Sequence, residues 1–390
     1  LIGRSLRTGG AAPSRSLYVH TPFCERKCAY CDFASREGKP GEEETWIGRI
    51  EAELRLRGAE ADGPMDSVFI GGGTPSALSE PALARLCRAV ADNFRQAPGF
   101  EWSVEANPAS LTAAKLAILR EHGVGRVSMG VQSFVPRLLE TMGRAHDDRD
   151  AAEALDLVAG SGLRWNADLI FALPGQSVGE FQGSLERLLA WEPSHVSFYG
   201  LSWEPGTPFR KALDEGRMAE ATDDDWEAMY QGGVDRLAAA GIHRYEVSNF
   251  ARPGEECRHN EAYWKTDSVW LAAGNAAHGY RPWTRWRNPR GLSAWSAWAD
   301  RGFPAAETEP EVLSLDERWT EEWFLGLRTA RGVDLDDLSV RYAFVPPEER
   351  IERRIASGQL VREGNVLRLH GPGWMLLDAI AAELSTTDRA

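Results

Sequence analysis

Several large classes are excluded by what this chain lacks. No apolar run approaches the ~20 residues that a membrane-spanning helix needs, so no stable membrane insertion is expected. No basic-then-apolar leader opens the chain, which starts at Leu1, and we expect a cytoplasmic protein. Positive charge is in deficit, 44 Lys and Arg against 58 Asp and Glu. The resulting net charge of −14 repels polyphosphate on average, so no nucleic-acid partner is expected. Cysteine is scarce, with five residues in 390, too few for a disulfide scaffold and consistent with a reducing compartment. Cys87 falls in an apolar-periodic helix and reads as a small core residue.

Three of those cysteines nevertheless crowd into Cys24-Glu25-Arg26-Lys27-Cys28-Ala29-Tyr30-Cys31. Loops this short strain a disulfide, and an odd number leaves one thiol over. Structural zinc usually takes four ligands from two separated pairs, and no second pair exists here. Three thiolates suit a cubane iron–sulfur cluster with one iron left open, and an open iron can take a small molecule. The spacing Cys-x-x-x-Cys-x-x-Cys, with Tyr30 before the last cysteine, resembles the radical S-adenosylmethionine (radical SAM) family. The resemblance implies a [4Fe-4S] cluster on Cys24, Cys28 and Cys31, with SAM chelated at the open iron and cleaved reductively to a deoxyadenosyl radical. It also implies an electron donor.

From Leu17 a pattern repeats: a short apolar run, a Gly/Asn/Pro turn, an amphipathic helix. The runs are Leu17–His20, Ser67–Ile70, Glu101–Glu105, Arg126–Gln132, Trp165–Phe171 and His195–Leu201. The helices are near Glu43–Arg57, Glu80–Phe94, Thr112–Glu121, Asp147–Ala159, Val178–Leu189 and Asp223–Ala240, with a further strand over Arg244–Val247. Alternation of this length predicts an α/β fold with a parallel sheet, a partial (β/α)6 barrel of the TIM type. Chemistry in such barrels gathers at the carboxyl ends of the strands. Residues 1–15 read as a loose arm, 16–250 as the barrel and 251–390 as a smaller C-terminal α+β region. That region carries helices at Leu315–Thr329, Pro347–Ser357 and Gly373–Leu384 and a hairpin over Leu360–Leu369. The last part resembles a winged helix; given the net charge, a cap packed over the barrel is the better reading than a DNA reader.

The predicted strand ends carry Gly71-Gly72-Gly73-Thr74-Pro75, Glu105-Ala106-Asn107-Pro108, Gly130-Val131-Gln132-Ser133 and Asn166-Ala167-Asp168. A glycine triplet lets backbone approach a ligand closely, though alone it reads equally as a tight turn. Glu105, Gln132 and Asp168 singly read as structural polar groups; on successive strand ends they form a polar ring. Tyr18-Val19-His20-Thr21-Pro22-Phe23-Cys24, Ser128-Met129-Gly130-Val131-Gln132-Ser133-Phe134, Gly143-Arg144-Ala145-His146 and Asp168-Leu169-Ile170 narrow the resemblance to the coproporphyrinogen dehydrogenase branch, which also contains heme chaperones of the HemW type. Residue by residue, that implies SAM contacts at Tyr18, Gly72, Gly73, Thr74, Glu105, Gln132, Arg144 and Asp168, with Tyr30 beside the cluster.

Two features separate the branch's members. The dehydrogenase type resembles Cys-x-x-x-Cys-x-x-Cys-x-Cys, whereas Phe33 stands here in place of the extra thiol. His259-Asn260-Glu261-Ala262-Tyr263-Trp264 is similar to the His-Asn-x-x-Tyr-Trp motif of the HemW type, which implies His259 as a heme ligand, with Cys257 a rival. The run Arg281–Arg287 offers Arg and Trp to heme propionates or simply packs on itself. Ala272 and Ala276 replace usual glycines in Ala272-Ala273-Gly274-Asn275-Ala276-Ala277-His278. The expected function is a heme carrier, passing heme to heme-accepting proteins such as respiratory enzymes. The alternatives are oxygen-independent decarboxylation of coproporphyrinogen III and, third, methyl transfer to a tetrapyrrole.

Overall fold

Period-two alternation shapes the first half of the chain. Leu17 and Val19 on β1 (Arg15–Thr21) face one way, Ser16, Tyr18 and His20 the other. Strand register carries this split across five more strands. On β2 (Met65–Gly72), Val68 and Ile70 oppose Ser67 and Phe69; on β3 (Gln96–Ala106), Trp102 and Val104 oppose Ser103 and Glu105. On β4 (Arg126–Gln132), Val127 and Met129 oppose Ser128 and Gly130; on β5 (Arg164–Phe171), Ala167 and Leu169 oppose Asn166 and Asp168; on β6 (His195–Gly200), Val196 and Phe198 oppose Ser197 and Tyr199. The apolar face is buried under helices: α1 (Glu42–Glu60) supplies Trp46, Ile50 and Leu54, α2 (Glu80–Asn93) Leu83 and Leu86, α3 (Asp148–Ala159) Leu155 and Val158, α4 (Val178–Leu189) Phe181 and Leu185. The polar face is left to line an interior. Helix starts are fixed by side chains: Ser177 and Glu180, and Asp147 and Asp150, form capping boxes.

The computed structural model describes residues 14–386, apart from 306, 307, 309, 343 and 344. The loose arm expected over 1–15 therefore lies almost wholly outside the described residues. β1 to β6 run parallel, so their carboxyl ends share one rim. The α/β expectation is correct, and the sheet is mixed and larger than expected. It has twelve strands in the order β12-β11-β10-β9-β1-β2-β3-β4-β5-β6-β8-β7, where β7 is His243–Glu246, β8 Asn249–Ala251, β9 Val269–Ala273, β10 His278–Arg281, β11 Thr284–Arg287 and β12 Glu311–Val312. β9 joins β1 in parallel, and β10 to β12 continue antiparallel. The strand–helix pattern predicts a barrel that ends at residue 250; β9 falls outside it because Leu271, Ala272 and Ala273 are all buried, so no alternation shows.

A second apolar cluster, from Trp319 to Leu384, belongs to a smaller α+β unit. Helices Leu315–Leu327, Leu335–Tyr342, Glu348–Ala356 and Leu377–Ser385 surround a three-stranded sheet of Val333–Asp334, Val366–Leu369 and Leu360–Glu363. No helix among the described residues is long and apolar enough to cross a membrane.

Candidate cofactor site

β1 ends by pinning itself to β2: the Thr21 hydroxyl donates to the Gly71 carbonyl at 2.6 Å, and the Gly73 N–H to the Thr21 carbonyl at 2.7 Å. The chain then enters the Cys24–Cys31 loop. That loop is tied down on either side of Cys28, with the Ala29 N–H on the Met142 carbonyl at 2.9 Å and the Lys27 ammonium on the Ser35 carbonyl at 2.9 Å. Cys24, Cys28 and Cys31 are free thiols, half-buried, on one wall of a cavity of about 390 Å³. Burial pushes the Cys31 thiol up to about 11.

The opposite walls come from the strand ends. Gly72, Gly73, Thr74, Glu105, Gln132, Arg144 and Asp168 all line this cavity, and so does Tyr30. Gly72 holds φ +102°, and its N–H donates to a Glu105 carboxylate oxygen at 3.1 Å. A Cβ on Gly73 would stand 2.5 Å from the Phe23 carbonyl, so no larger residue fits there. Burial, then the neighbouring Asp168, raises the Glu105 carboxyl to about 8. Burial raises Asp168 to about 6, against hydrogen bonds from Ser197, Ser128 and Asn166. The Arg144 guanidinium reaches the Cys28 sulfur at 3.4 Å and the Gly130 carbonyl.

Sequence reasoning missed part of this cavity. Asn107, Ser128, Tyr199, Ser202 and Glu204 also line it. The signal lay in the alternation: Ser128, Asn166, Ser197 and Tyr199 sit in register with Glu105 and Asp168 on the polar face. Tyr18 is not among the lining residues. Its hydroxyl lies 3.3 Å from His20 Nδ1, and its ring stacks on Phe69. Burial is the main cause that raises its phenol, and Glu105 the second.

His259 lies elsewhere. It is buried at the amino ends of the strands, with Nδ1 3.0 Å from the Ser67 hydroxyl, Nε2 2.9 Å from the Tyr263 hydroxyl and its ring stacked on Phe69. Ser67 is five residues before the rim of β2, roughly 17 Å away at strand rise. Both ring nitrogens are thus engaged inside the protein, away from the cavity that the cysteines line. Cys257 is buried as well, its thiol 3.4 Å from Glu101 and pushed up to about 12 by burial. In the Arg281–Arg287 run, Arg285 is paired with Glu311 at 2.9 Å and Glu321 at 3.0 Å.

The cavity's residues fit a cluster with a small polar ligand. Gln132 is held at φ +68° with its side-chain oxygen buried and without a partner, and Arg144 Nε is likewise unpartnered. Both atoms suit a polar ligand in the cavity that their side chains line. Among the described residues no group of His, Cys, Asp and Glu is arranged to grip a single metal ion. A cubane spreads its thiolates wider than one ion does.

Residues 18–188 match the family model described as the radical SAM superfamily. The chain is 38% identical over 376 residues to the heme chaperone HemW of Mycobacterium tuberculosis, covering 94% of each chain. The chain belongs to the HemW family of radical SAM proteins. It is also 36% identical to the HemW of Bacillus subtilis over 334 residues, covering 84% of this chain and 87% of that one. The fold is that of the Escherichia coli coproporphyrinogen III oxidase HemN, with TM-score 0.83 at 20% identity over 96% of this chain and 91% of that one. Phe33, two residues past Cys31, is 55% exposed beside the cysteine loop.

Proposed function

We propose that this HemW-family chain is a heme carrier: it binds heme and hands it to heme-requiring proteins in the cytoplasm, with a cluster and exchangeable SAM assisting. The observation that carries the reading is Phe33, which breaks the decarboxylating pattern at the loop nearest the cluster, in a chain that matches the heme chaperone HemW of Mycobacterium tuberculosis over 94% of its length. Cys24, Cys28 and Cys31 would hold a [4Fe-4S] cluster, which when bound supplies one-electron reduction and an iron open to a chelating ligand. Gly72, Gly73, Thr74 and Tyr30 would bound the SAM site. Glu105 and Asp168 would face its positive charges, and Gln132 and Arg144 would offer it their open hydrogen-bonding positions. Tyr18 would act from behind, through Glu105 and His20.

On this reading the sheet curls into a partial (β/α)6 barrel around the polar face. Residues 16–250 form its body, and 251–390 a C-terminal region that ends in a winged-helix-like unit. An electron donor and a heme-accepting protein are the implied partners. Anaerobic reconstitution tests the reading, with iron and sulfide counts, EPR after reduction with and without SAM, and heme titration on the same sample. One cluster lost in the Cys24/Cys28/Cys31→Ala variant, saturable heme binding and no decarboxylation of coproporphyrinogen III are the expected results. Robust conversion to protoporphyrinogen IX with SAM and a reductant would overturn it.

A further inference from the structure

We propose that His278, rather than His259, is the residue that ligates heme iron in this chain, and that Arg287 and Arg290 receive the tetrapyrrole's carboxylates. The proposal rests on the heme-carrier reading and names the residues that would make the contact.

All eight histidines of the chain are described. His20, His146 and His259 have both ring nitrogens engaged inside the protein. His195 is buried on Tyr245, and His122 bonds its own helix at the Ile118 carbonyl. His243 lies on the far edge strand, and His370 in the C-terminal unit. His278 alone is exposed at the rim that carries the cysteine loop. β9 runs parallel to β1, and β10 runs back from that rim, so its first residue, His278, stands there. The ring makes no hydrogen bond among the described residues.

The surroundings suit an anionic, flat ligand. Arg287 is the direct cross-strand partner of His278, at about 5 Å between Cα atoms in such a pair. It is exposed and makes no ion pair among the described residues, on a protein whose net charge is −14. Arg290 reaches the Asp32 carbonyl at 2.8 Å and the Asp32 carboxylate at 3.5 Å, an exposed pair that a propionate would displace, and so brings the patch against the cysteine loop. The exposed Phe33 ring next to Asp32 supplies an apolar face. The rim is fixed rather than loose: the Asn275 amide donates to the Ala34 carbonyl at 2.7 Å and to the Arg290 carbonyl at 3.2 Å. Partial desolvation, then Arg287, Arg285 and Arg290, lowers the His278 imidazole from its ordinary value, so at neutral pH it has a lone pair for iron. Binding replaces a water on the iron with that nitrogen and pairs propionates with guanidiniums.

The test uses the full-length, cluster-loaded protein under anaerobic conditions, titrated with iron(III) protoporphyrin IX and, separately, its dimethyl ester. His278→Ala should abolish the imidazole-ligated Soret position and weaken binding about tenfold or more, a scale at which even outer-shell partners matter at metal sites. Free imidazole should restore the spectrum of His278→Gly. Arg287→Ala should weaken binding of the free acid and leave the ester unchanged. His259→Gln, where its cluster content matches the parent, should keep the ligated spectrum. An unaltered spectrum and affinity in His278→Ala, with saturable binding by the parent, would overturn the ligand assignment and leave the carrier reading standing. No saturable binding by the parent would overturn both.

Discussion

Ala276 is held at φ +56°, in the left-handed region, by the hydrogen bond from its N–H to the Pro289 carbonyl at 3.0 Å. A Cβ there costs roughly 1–2 kcal/mol, against about 0.5–1 kcal/mol of extra chain entropy lost by glycine. Ala276→Gly should therefore stabilise the protein slightly, by about 1 kcal/mol or less, raising the melting temperature by ~1–3 °C. A fall in melting temperature on reconstituted protein would contradict this account. Ala272, the other residue that stands for a glycine, is different. It lies on β9 in register with Tyr18, without positive φ, and its carbonyl accepts from Arg57 Nε at 3.0 Å. The two substitutions look alike in sequence, and only one of them is strained. Gly274, between them, is the residue that cannot change: at φ +93° a Cβ would stand 2.3 Å from the His20 carbonyl.

Between elements, Glu53 on α1 ties the second half of the sheet to the first. Its buried carboxylate accepts from the Gly274 N–H at 2.8 Å, the Asn288 amide at 2.7 Å and the Trp295 indole at 2.9 Å, and pairs with Arg57 at 3.3 Å. Those donors sit on the loops on either side of the β10–β11 ribbon and on the helix that follows. Glu53→Leu would take the acceptor from the Gly274 N–H, the Asn288 amide and the Trp295 indole and leave Arg57 with Glu60 and the Ala272 carbonyl, at a cost of about 3–5 kcal/mol. The urea midpoint should fall accordingly; a shift within error of the parent would show that this network is not what holds the ribbon. None of this was legible in the sequence, because Glu53 reads there as one more polar position on an amphipathic helix. The six strands and their helices were legible, since period-two and helical periodicity mark elements with one buried face. Strand β9 has no polar face, and the β10–β11 ribbon, rich in Arg and Trp, resembles a loop. The same limit applies at the site. Cys24, Cys28 and Cys31 stand out by their spacing, and the strand-end residues by strand periodicity together with the family resemblance. The burial of His259 could not, because it depends on the helix Arg258–Tyr263 packing against β1 and β2.

For the whole molecule, the two carboxyls in the cavity link ligand binding, folding and pH. Glu105 titrates at about 8 in the folded protein against an ordinary value of 4.5, chiefly because burial penalises its charge and then because Asp168 adds to it. Between those two values the folded chain holds more protons at this group than the unfolded chain does, so its contribution to stability falls as pH rises through that window. Five histidines act in the opposite sense, burial lowering His195 and His278 as well as His20, His146 and His259. His20, His146 and His259 are depressed to about 4, 3 and 3 by burial, so their neutral folded forms lose stability as pH falls below about 6.5. Between pH 6.5 and 8 the histidine effect is saturated and the Glu105 effect remains. In that interval the stability of the cofactor-free protein should decline relative to Glu105→Gln, and below pH 4.5 the relative difference should no longer change with pH. The same carboxyl should give up its proton when a cation enters the cavity, because a positive charge beside it reverses the penalty. SAM carries such charge, so calorimetry at pH 7 in buffers of different ionisation enthalpy should show proton release on SAM binding to cluster-loaded protein. That release should be reduced in Glu105→Gln, and SAM affinity should rise from pH 6 to pH 8 in the parent more steeply than in the variant. Equal proton release and equal pH slopes in the two proteins would remove Glu105 from the SAM site.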